Sequence, residues 1–204
     1  MNHYYTNDPD LEHNEHTFAF ELGGHELRFT SDNGVFSKHT IDYGSRVLIS
    51  AVLDQPALAA GSILDLGCGY GPIGISMAAA LPERKIVMSD VNERALALAK
   101  RNAAANGVDA RCTIVESSVY DAISDQFGVI VTNPPVRAGK AIVSAMISGA
   151  KEHLLPGGEI FVVLQKKQGA PSAKKLLAAT FGNAEVIKKD SGYYILHATA
   201  AQEA

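Results

Sequence analysis

The chain has 204 residues, enough for one α/β domain with a small appendage and a substantial buried core. With 47% apolar and 20% charged residues it has a globular balance that argues against disorder, and a net charge of −4 excludes a protein that coats nucleic acid by charge alone. Two cysteines without CxxC spacing, Cys68 and Cys112, point to a reducing compartment. No apolar run reaches the ~20 residues needed to cross a bilayer. The opening Met1-Asn2-His3-Tyr4-Tyr5 lacks a basic region followed by an apolar stretch, so the reading is a cytoplasmic protein with no membrane partner.

Residues 1–16 form a polar segment. His3, His13 and His16 within it have no acidic or cysteine companion in ligand register, so no metal is expected. Residues 17–204 read as one domain. Two short alternating runs, 17–22 and 25–30, flank Gly23-Gly24 and predict a β-hairpin over 17–30. Val47, Leu48, Ala51 and Val52 recur at helical spacing, predicting a helix over about 42–54. From about 61 to 198 strands and helices alternate. Strands are expected at 62–66, 85–89, 111–115, 128–132 and 160–164. Helices are expected from the glycine loop 67–71 to about 80, over 93–106, over about 139–155 and over 172–181. Asn106-Gly107 supplies a left-handed stop, and Pro156-Gly157-Gly158 ends the fourth of these helices. Strands 184–189 and 193–198 lie too close for a helical crossover and should pair antiparallel across Ser191-Gly192. The fold class is therefore α/β: a Rossmann-like, doubly wound, seven-stranded, mostly parallel sheet with an antiparallel C-terminal hairpin, plus the N-terminal hairpin.

The strand at 62–66 runs into Asp65-Leu66-Gly67-Cys68-Gly69-Tyr70-Gly71-Pro72-Ile73-Gly74. Glycines let the backbone turn sharply and approach a ligand, and the following helix points its N-terminal amides at the crevice. Gly69 to Gly74 also fits the dinucleotide pattern GxGxxG. Asp65 speaks for S-adenosyl-L-methionine instead: at the strand end a carboxylate can meet the cationic amino group of a methionine moiety but would repel a pyrophosphate. The Asp-x-Gly-x-Gly-x-Gly order resembles class I methyltransferases. Asp90, closing the second strand, can accept both ribose hydroxyls, for this cofactor or for NAD. The cofactor set is Asp65, Gly67, Cys68, Gly69, Gly71, Asp90 and Val91, with Ser118 after the third strand.

The fourth strand ends in Val131-Thr132-Asn133-Pro134-Pro135-Val136-Arg137. The prolines end the ladder and stiffen the turn, leaving Asn133 beside the glycine loop. An exocyclic base nitrogen is a weak nucleophile because its lone pair is delocalised into the ring. The Asn133 side-chain carbonyl and the Pro134 backbone carbonyl can each accept one of its N–H groups, orienting it toward the methyl donor. In-line placement then supplies much of the rate. Asn133, Pro134 and Pro135 are the catalytic set, and the segment resembles amino-methyltransferases with an Asn-Pro-Pro-aromatic motif.

Together with Gly34-Val35-Phe36-Ser37, with Ile41-Asp42-Tyr43-Gly44-Ser45-Arg46 and with Asn133 to Lys140, the glycine loop resembles the "methyltransferase small" family. That family includes the small-subunit ribosomal RNA guanine-N2 methyltransferases, and the chain is similar to a single-domain relative of their catalytic half over most of 17–198. The resemblance implies guanine N2 in ribosomal RNA, as naked RNA or in a ribosomal subunit, as the target. Two positions depart from the pattern. Val136 stands where relatives carry a ring to stack on the base, with Phe36 as the substitute ring or, alternatively, a core residue. Ser117-Ser118 stands where relatives place an acidic residue. Arg137, Lys140, Lys166, Lys167, Lys174 and Lys175 are expected to meet RNA phosphates or to form a solvated face, and Phe36, Val136, Arg137 and Lys140 make up the substrate set. Three other functions remain: a protein glutamine N5-methyltransferase, since an amide nitrogen is an equally weak nucleophile; a cofactor-binding module without activity; and, from GxGxxG alone, a nicotinamide oxidoreductase.

Overall fold

The computed structural model describes residues 11–202; His3 and the rest of the first ten residues lie outside the described residues. In chain order the elements are β1 (His16–Leu22), β2 (His25–Ser31), α1 (Tyr43–Leu53), β3 (Ile63–Leu66), α2 (Pro72–Ala80), β4 (Ile86–Asp90), α3 (Glu93–Ala105), β5 (Cys112–Glu116), β6 (Phe127–Thr132), α4 (Lys140–Gly149), β7 (Leu154–Gln165), α5 (Ala170–Phe181), β8 (Glu185–Asp190) and β9 (Tyr193–Thr199). Strands β3 to β9 form one sheet in the order β5-β4-β3-β6-β7-β9-β8. The first five of these pair parallel, and β9 pairs antiparallel with both β7 and β8. The expected Rossmann-like sheet with an antiparallel end is what forms.

The sheet is covered on both faces, and the strands show why. Ile63, Val129, Val131, Phe161, Val163 and Ile195 face a core shared with α1, α2, α3 and the hairpin. Their neighbours Leu64, Ile130, Ile160, Val162, Leu164 and Leu196 face a second core built with α4 and α5. Period-two alternation with apolar side chains on both sides is the pattern of a strand buried on both faces.

The hairpin turns through Gly23 and Gly24 at φ 58° and 79°, the geometry that a tight two-residue turn requires. Helix α3 covers its outer edge. Asn102 Oδ1 accepts from Thr30 N at 2.8 Å and its Nδ2 donates to Thr30 O at 2.9 Å; Asn106 does the same with Arg28 at 2.9 and 2.7 Å. Two amides one helical turn apart thus stand in for a third strand and satisfy an open edge. Asn102 Nδ2 also donates to Tyr70 O at 2.9 Å, tying the hairpin to the glycine loop.

The expected helix over 139–155 is corrected. Helix α4 stops at Gly149, a single 3-10 turn follows (Ala150–His153), and Leu154 already pairs with Phe127. The adjacent apolar pair Leu154-Leu155 continued a helical pattern in sequence, whereas Leu154 in fact enters the sheet. Pro156-Gly157-Gly158 does not end a helix: the register jumps from Phe127↔Leu154 to Val129↔Glu159, so this segment bulges out of β7, with Gly157 at φ 72°.

Candidate active site

In an open doubly wound sheet, ligands bind beyond the carboxyl ends of the strands where the strand order reverses. That point lies between β3 and β6, since β4 follows β3 on one side and β6 flanks it on the other. A cavity of about 710 Å³ opens there. Gly67, Cys68, Gly69, Asp90, Val91 and Ser118 line it, as do Phe36, Asn133, Pro134, Pro135, Val136 and Arg137. Asp65, Gly71 and Lys140 lie outside its wall, and so do Lys166, Lys167, Lys174 and Lys175.

The glycine loop is held from below. Gly67 N and Cys68 N both donate to Ser89 O, at 2.8 and 2.9 Å, and Gly69 N donates to Asp90 Oδ2 at 2.8 Å. Asp90 Oδ1 accepts from Asn92 N at 3.0 Å, so one carboxylate fixes two loops. Burial raises its carboxyl above the usual range. Gly69, at φ 56°, has open space where a Cβ would stand, so backbone forms this stretch of wall. Gly74 serves a different end: a Cβ there would stand 2.6 Å from the Met88 side chain and 3.1 Å from Asp65 Oδ2, so a larger residue would have to displace Met88. Burial also pushes the Cys68 thiol up, which makes it a neutral wall and not a nucleophile.

Asp65 is fully buried beneath α2. Its Oδ2 accepts from Gly74 N at 2.7 Å, while Oδ1 has no partner among the described residues. Burial pushes the carboxyl up to about 7. Ser89 Oγ, on a residue that lines the cavity, is likewise buried and unpartnered. Orphaned buried polar atoms are costly, and these two, Ser89 Oγ on the wall and Asp65 Oδ1 behind it, are what a polar ligand or its waters would satisfy. The residues therefore fit a cofactor with a cationic end near β3 and a polyhydroxylated group near Asp90. At the β5 end, Ser117 Oγ is occupied by its own turn, donating to Val119 O and accepting from Ala122 N at 3.1 Å each. Ser118 is left as the exposed hydroxyl of that wall.

The Asn133 amide is fixed by two residues that sequence reasoning missed as site residues. Its Nδ2 donates to Asp42 Oδ2 at 2.9 Å and to Ser45 Oγ at 3.0 Å. A carboxylate only accepts, so the nitrogen and not the oxygen must face Asp42. Asn133 Oδ1 is then the cavity-side atom, with no hydrogen-bond partner among the described residues. Asp42 also caps α1 by accepting from Ser45 N at 3.1 Å. The signal was present as a cap, Asp42-x-x-Ser45 ahead of an apolar helix; its second task is a contact across 91 residues that no local pattern encodes. Gln165, Gln168 and Tyr193 are further wall residues that the sequence reading did not single out.

The profile of the "Methyltransferase small domain" family matches residues 26–197. The chain is 46% identical over 198 residues to "Uncharacterized protein YbxB" of Bacillus subtilis, covering 96% of this chain and 97% of that one. It is 33% identical over 182 residues to "Ribosomal RNA small subunit methyltransferase C" of Serratia proteamaculans, covering 87% of this chain and 50% of that protein. Among solved structures it superposes with a TM-score of 0.83 and 26% identity on "T. Thermophilus 16S rRNA N2 G1207 methyltransferase (RsmC) in complex with AdoMet and Guanosine", covering 94% of this chain and 52% of that one. The chain thus spans about half the length of the ribosomal RNA methyltransferases it matches.

Proposed function

The chain belongs to the methyltransferase small domain family and is an S-adenosylmethionine-dependent methyltransferase, and on that premise we propose that it methylates the exocyclic N2 amine of a guanine in ribosomal RNA. The observation that carries the reading is the fork on Asn133: Asp42 and Ser45 take the amide nitrogen, so its carbonyl oxygen is presented to the cavity as a pure acceptor. An NH₂ group is what such an acceptor selects.

S-adenosylmethionine supplies an electrophilic methyl on a sulfonium. Asp90, on the cavity wall, would accept from its ribose end, the buried Asp65 carboxylate would complement its cationic end from behind the glycine loop, and the backbone from Gly67 to Gly69 would leave room for its body. Asn133 Oδ1 and the Pro134 carbonyl each accept one N–H of the target amine. Gripping both hydrogens orients the nitrogen and favours its pyramidal form, aiming the lone pair at the methyl. Because Asp42 and Ser45 hold Asn133 before substrate arrives, this alignment costs no reorganisation during the reaction. As the N–C bond forms the S–C bond breaks, S-adenosylhomocysteine leaves, and the N–H, acidified by the new bond, gives its proton to water, so no strong base is required. Arg137 at the cavity, with Lys166 and Lys167 flanking the wall residues Gln165 and Gln168, supplies charge for phosphates. The RNA relatives and the guanosine named with the structure of one of them support this substrate class.

The test is methyl transfer from labelled cofactor to ribosomal RNA and, separately, to small ribosomal subunits, followed by nucleoside mass spectrometry. The expected product is N2-methylguanosine from one of the two. No label in either, with cofactor binding intact, would overturn the reading, and label in a glutamine of a protein would replace it with the N5-methyltransferase.

A further inference from the structure

Where an aromatic residue would follow the second proline of Asn-Pro-Pro, this chain carries Val136, which leaves open what the target base lies against. Two exposed or half-exposed rings line the cavity, Phe36 and Tyr193, and they are carried by different parts of the fold. The loop bearing Phe36 is pinned to the cofactor side: Gly34 O accepts from Asn92 Nδ2 at 3.0 Å, and Tyr70 Oη donates to Ser37 O and Thr40 O at 3.2 and 3.3 Å. Tyr193 opens β9 on the other side. It pairs with Gln165 at the end of β7, and β7 runs beside β6 with Val162 opposite Thr132, the residue before Asn133. Val163 is therefore level with Asn133, and Gln165 with its partner Tyr193 lies two residues, about 6.6 Å, further along the strands on the same face of the sheet. The Tyr193 ring lies against α1 at Gly44, where a Cβ would come within 2.7 Å of Cε1. Gly44 sits between the two residues that hold the Asn133 amide, Asp42 and Ser45. A glycine at 44 lets that ring lie this close to the turn that carries Asp42 and Ser45.

We propose that Tyr193 is the ring on which the target base stacks, with the amides of Gln165 and Gln168 beside it as hydrogen-bonding partners for the base edge. The inference rests on the reading of the substrate as a nucleobase. A purine whose amine is held at Asn133 presents its face to a neighbouring ring, and amide side chains both donate and accept, which suits the mixed edge of guanine. Phe36 then belongs to the cofactor half.

The experiment measures binding of guanosine 5′-monophosphate to the full chain saturated with S-adenosylhomocysteine, by saturation-transfer NMR. Tyr193→Leu should weaken binding about tenfold or more, the loss of one base–ring stack, while Tyr193→Phe stays within about twofold. Phe36→Leu should weaken S-adenosylhomocysteine itself and, once that is saturating, leave the nucleotide's affinity within about twofold. Because Tyr193 also packs on Tyr43 at 5.7 Å, a second measurement avoids substitution altogether: photolabelling of the unaltered chain with 8-azidoguanosine should modify the peptide carrying Tyr193. Unchanged binding in Tyr193→Leu, or label on the peptide carrying Phe36, overturns the inference and leaves the proposed function standing. If the nucleotide fails to bind the unaltered chain while a glutamine-bearing peptide binds, the nucleobase reading falls and the inference falls with it.

Discussion

The two halves of the cavity are built from different materials. Over β3, β4 and β5 the wall follows a loop bent by glycines and held by the Asp90 carboxylate and by Ser89 O. Over β6, β7 and β9 it is mostly side chains: Asn133, Val136, Gln165 and Tyr193. A cofactor common to many enzymes can be met by backbone geometry, whereas a particular substrate needs side chains that can change. The difference also explains what a reader of the sequence can find. Most of the first half comes from residues close together in the chain, Asp65 to Gly74 and Asp90 to Asn92, joined by Phe36 and Ser118. The second half draws on α1, β6, β7 and the β8–β9 hairpin, which only folding brings together.

The sharpest way to separate the halves is Asn133→Ala. Removing one preorganised acceptor should lower the methyl-transfer rate about 10²- to 10³-fold, with S-adenosylhomocysteine affinity unchanged within about twofold by calorimetry. A parallel loss of cofactor affinity would dissolve the distinction. Asp90→Ala should do the reverse. It removes the acceptor of Gly69 N and Asn92 N, and hydrogen bonds to a charged group are worth about 1.5–3 kcal/mol each, so cofactor affinity should fall about 10- to 100-fold in the same titration.

Asp42→Ala tests whether the base half depends on how Asn133 is held. The Asn133 carbonyl would survive but lose its charged orienter, so kcat should fall about tenfold with cofactor affinity retained. Loss of the α1 cap should cost about 1 kcal/mol of stability in a denaturant titration. Asp42→Asn, whose carbonyl can still accept from Asn133 and cap the helix, should recover most of both.

The smallest expected effect is pH dependence in the cofactor half. Burial raises the Asp65 carboxyl from 3.8 to about 7. In the ligand-free protein this group contributes stability that is full below about pH 4 and lost as pH rises through about 7, because the folded state keeps a proton the unfolded chain has released. Cofactor affinity should move the other way. A cationic amino group favours the ionised carboxylate, so affinity should drop several-fold from pH 7.5 to 6. Asp65→Asn should flatten both slopes, as read by thermal melts and calorimetry across that window.

Most of the fold was legible because the chain alternates strand and helix and because both faces of the sheet are apolar. The reading failed at α4, where Leu154 looked like one more helical turn until its partner Phe127 was known. Within the site, Asn133 was legible from the prolines after it, and Asp90 from its place at a strand end. Tyr193 and Gln165 were not, since nothing near them in sequence distinguishes a cavity wall from ordinary strand ends. The lysines at 174 and 175 read equally as rim charges or as a solvated face; they sit on α5 outside the wall.

The central claim is that the Asn133 carbonyl, freed by Asp42 and Ser45, grips a guanine amine for methylation. The most direct test is mass-spectrometric mapping of ribosomal RNA from a strain lacking this chain, complemented with either the unaltered chain or Asn133→Ala. The account predicts that one guanine loses its N2-methyl group in the deletion strain, regains it with the unaltered chain, and stays unmethylated with Asn133→Ala expressed at equal level. Full methylation restored by Asn133→Ala, or no guanine changed by the deletion, would contradict it.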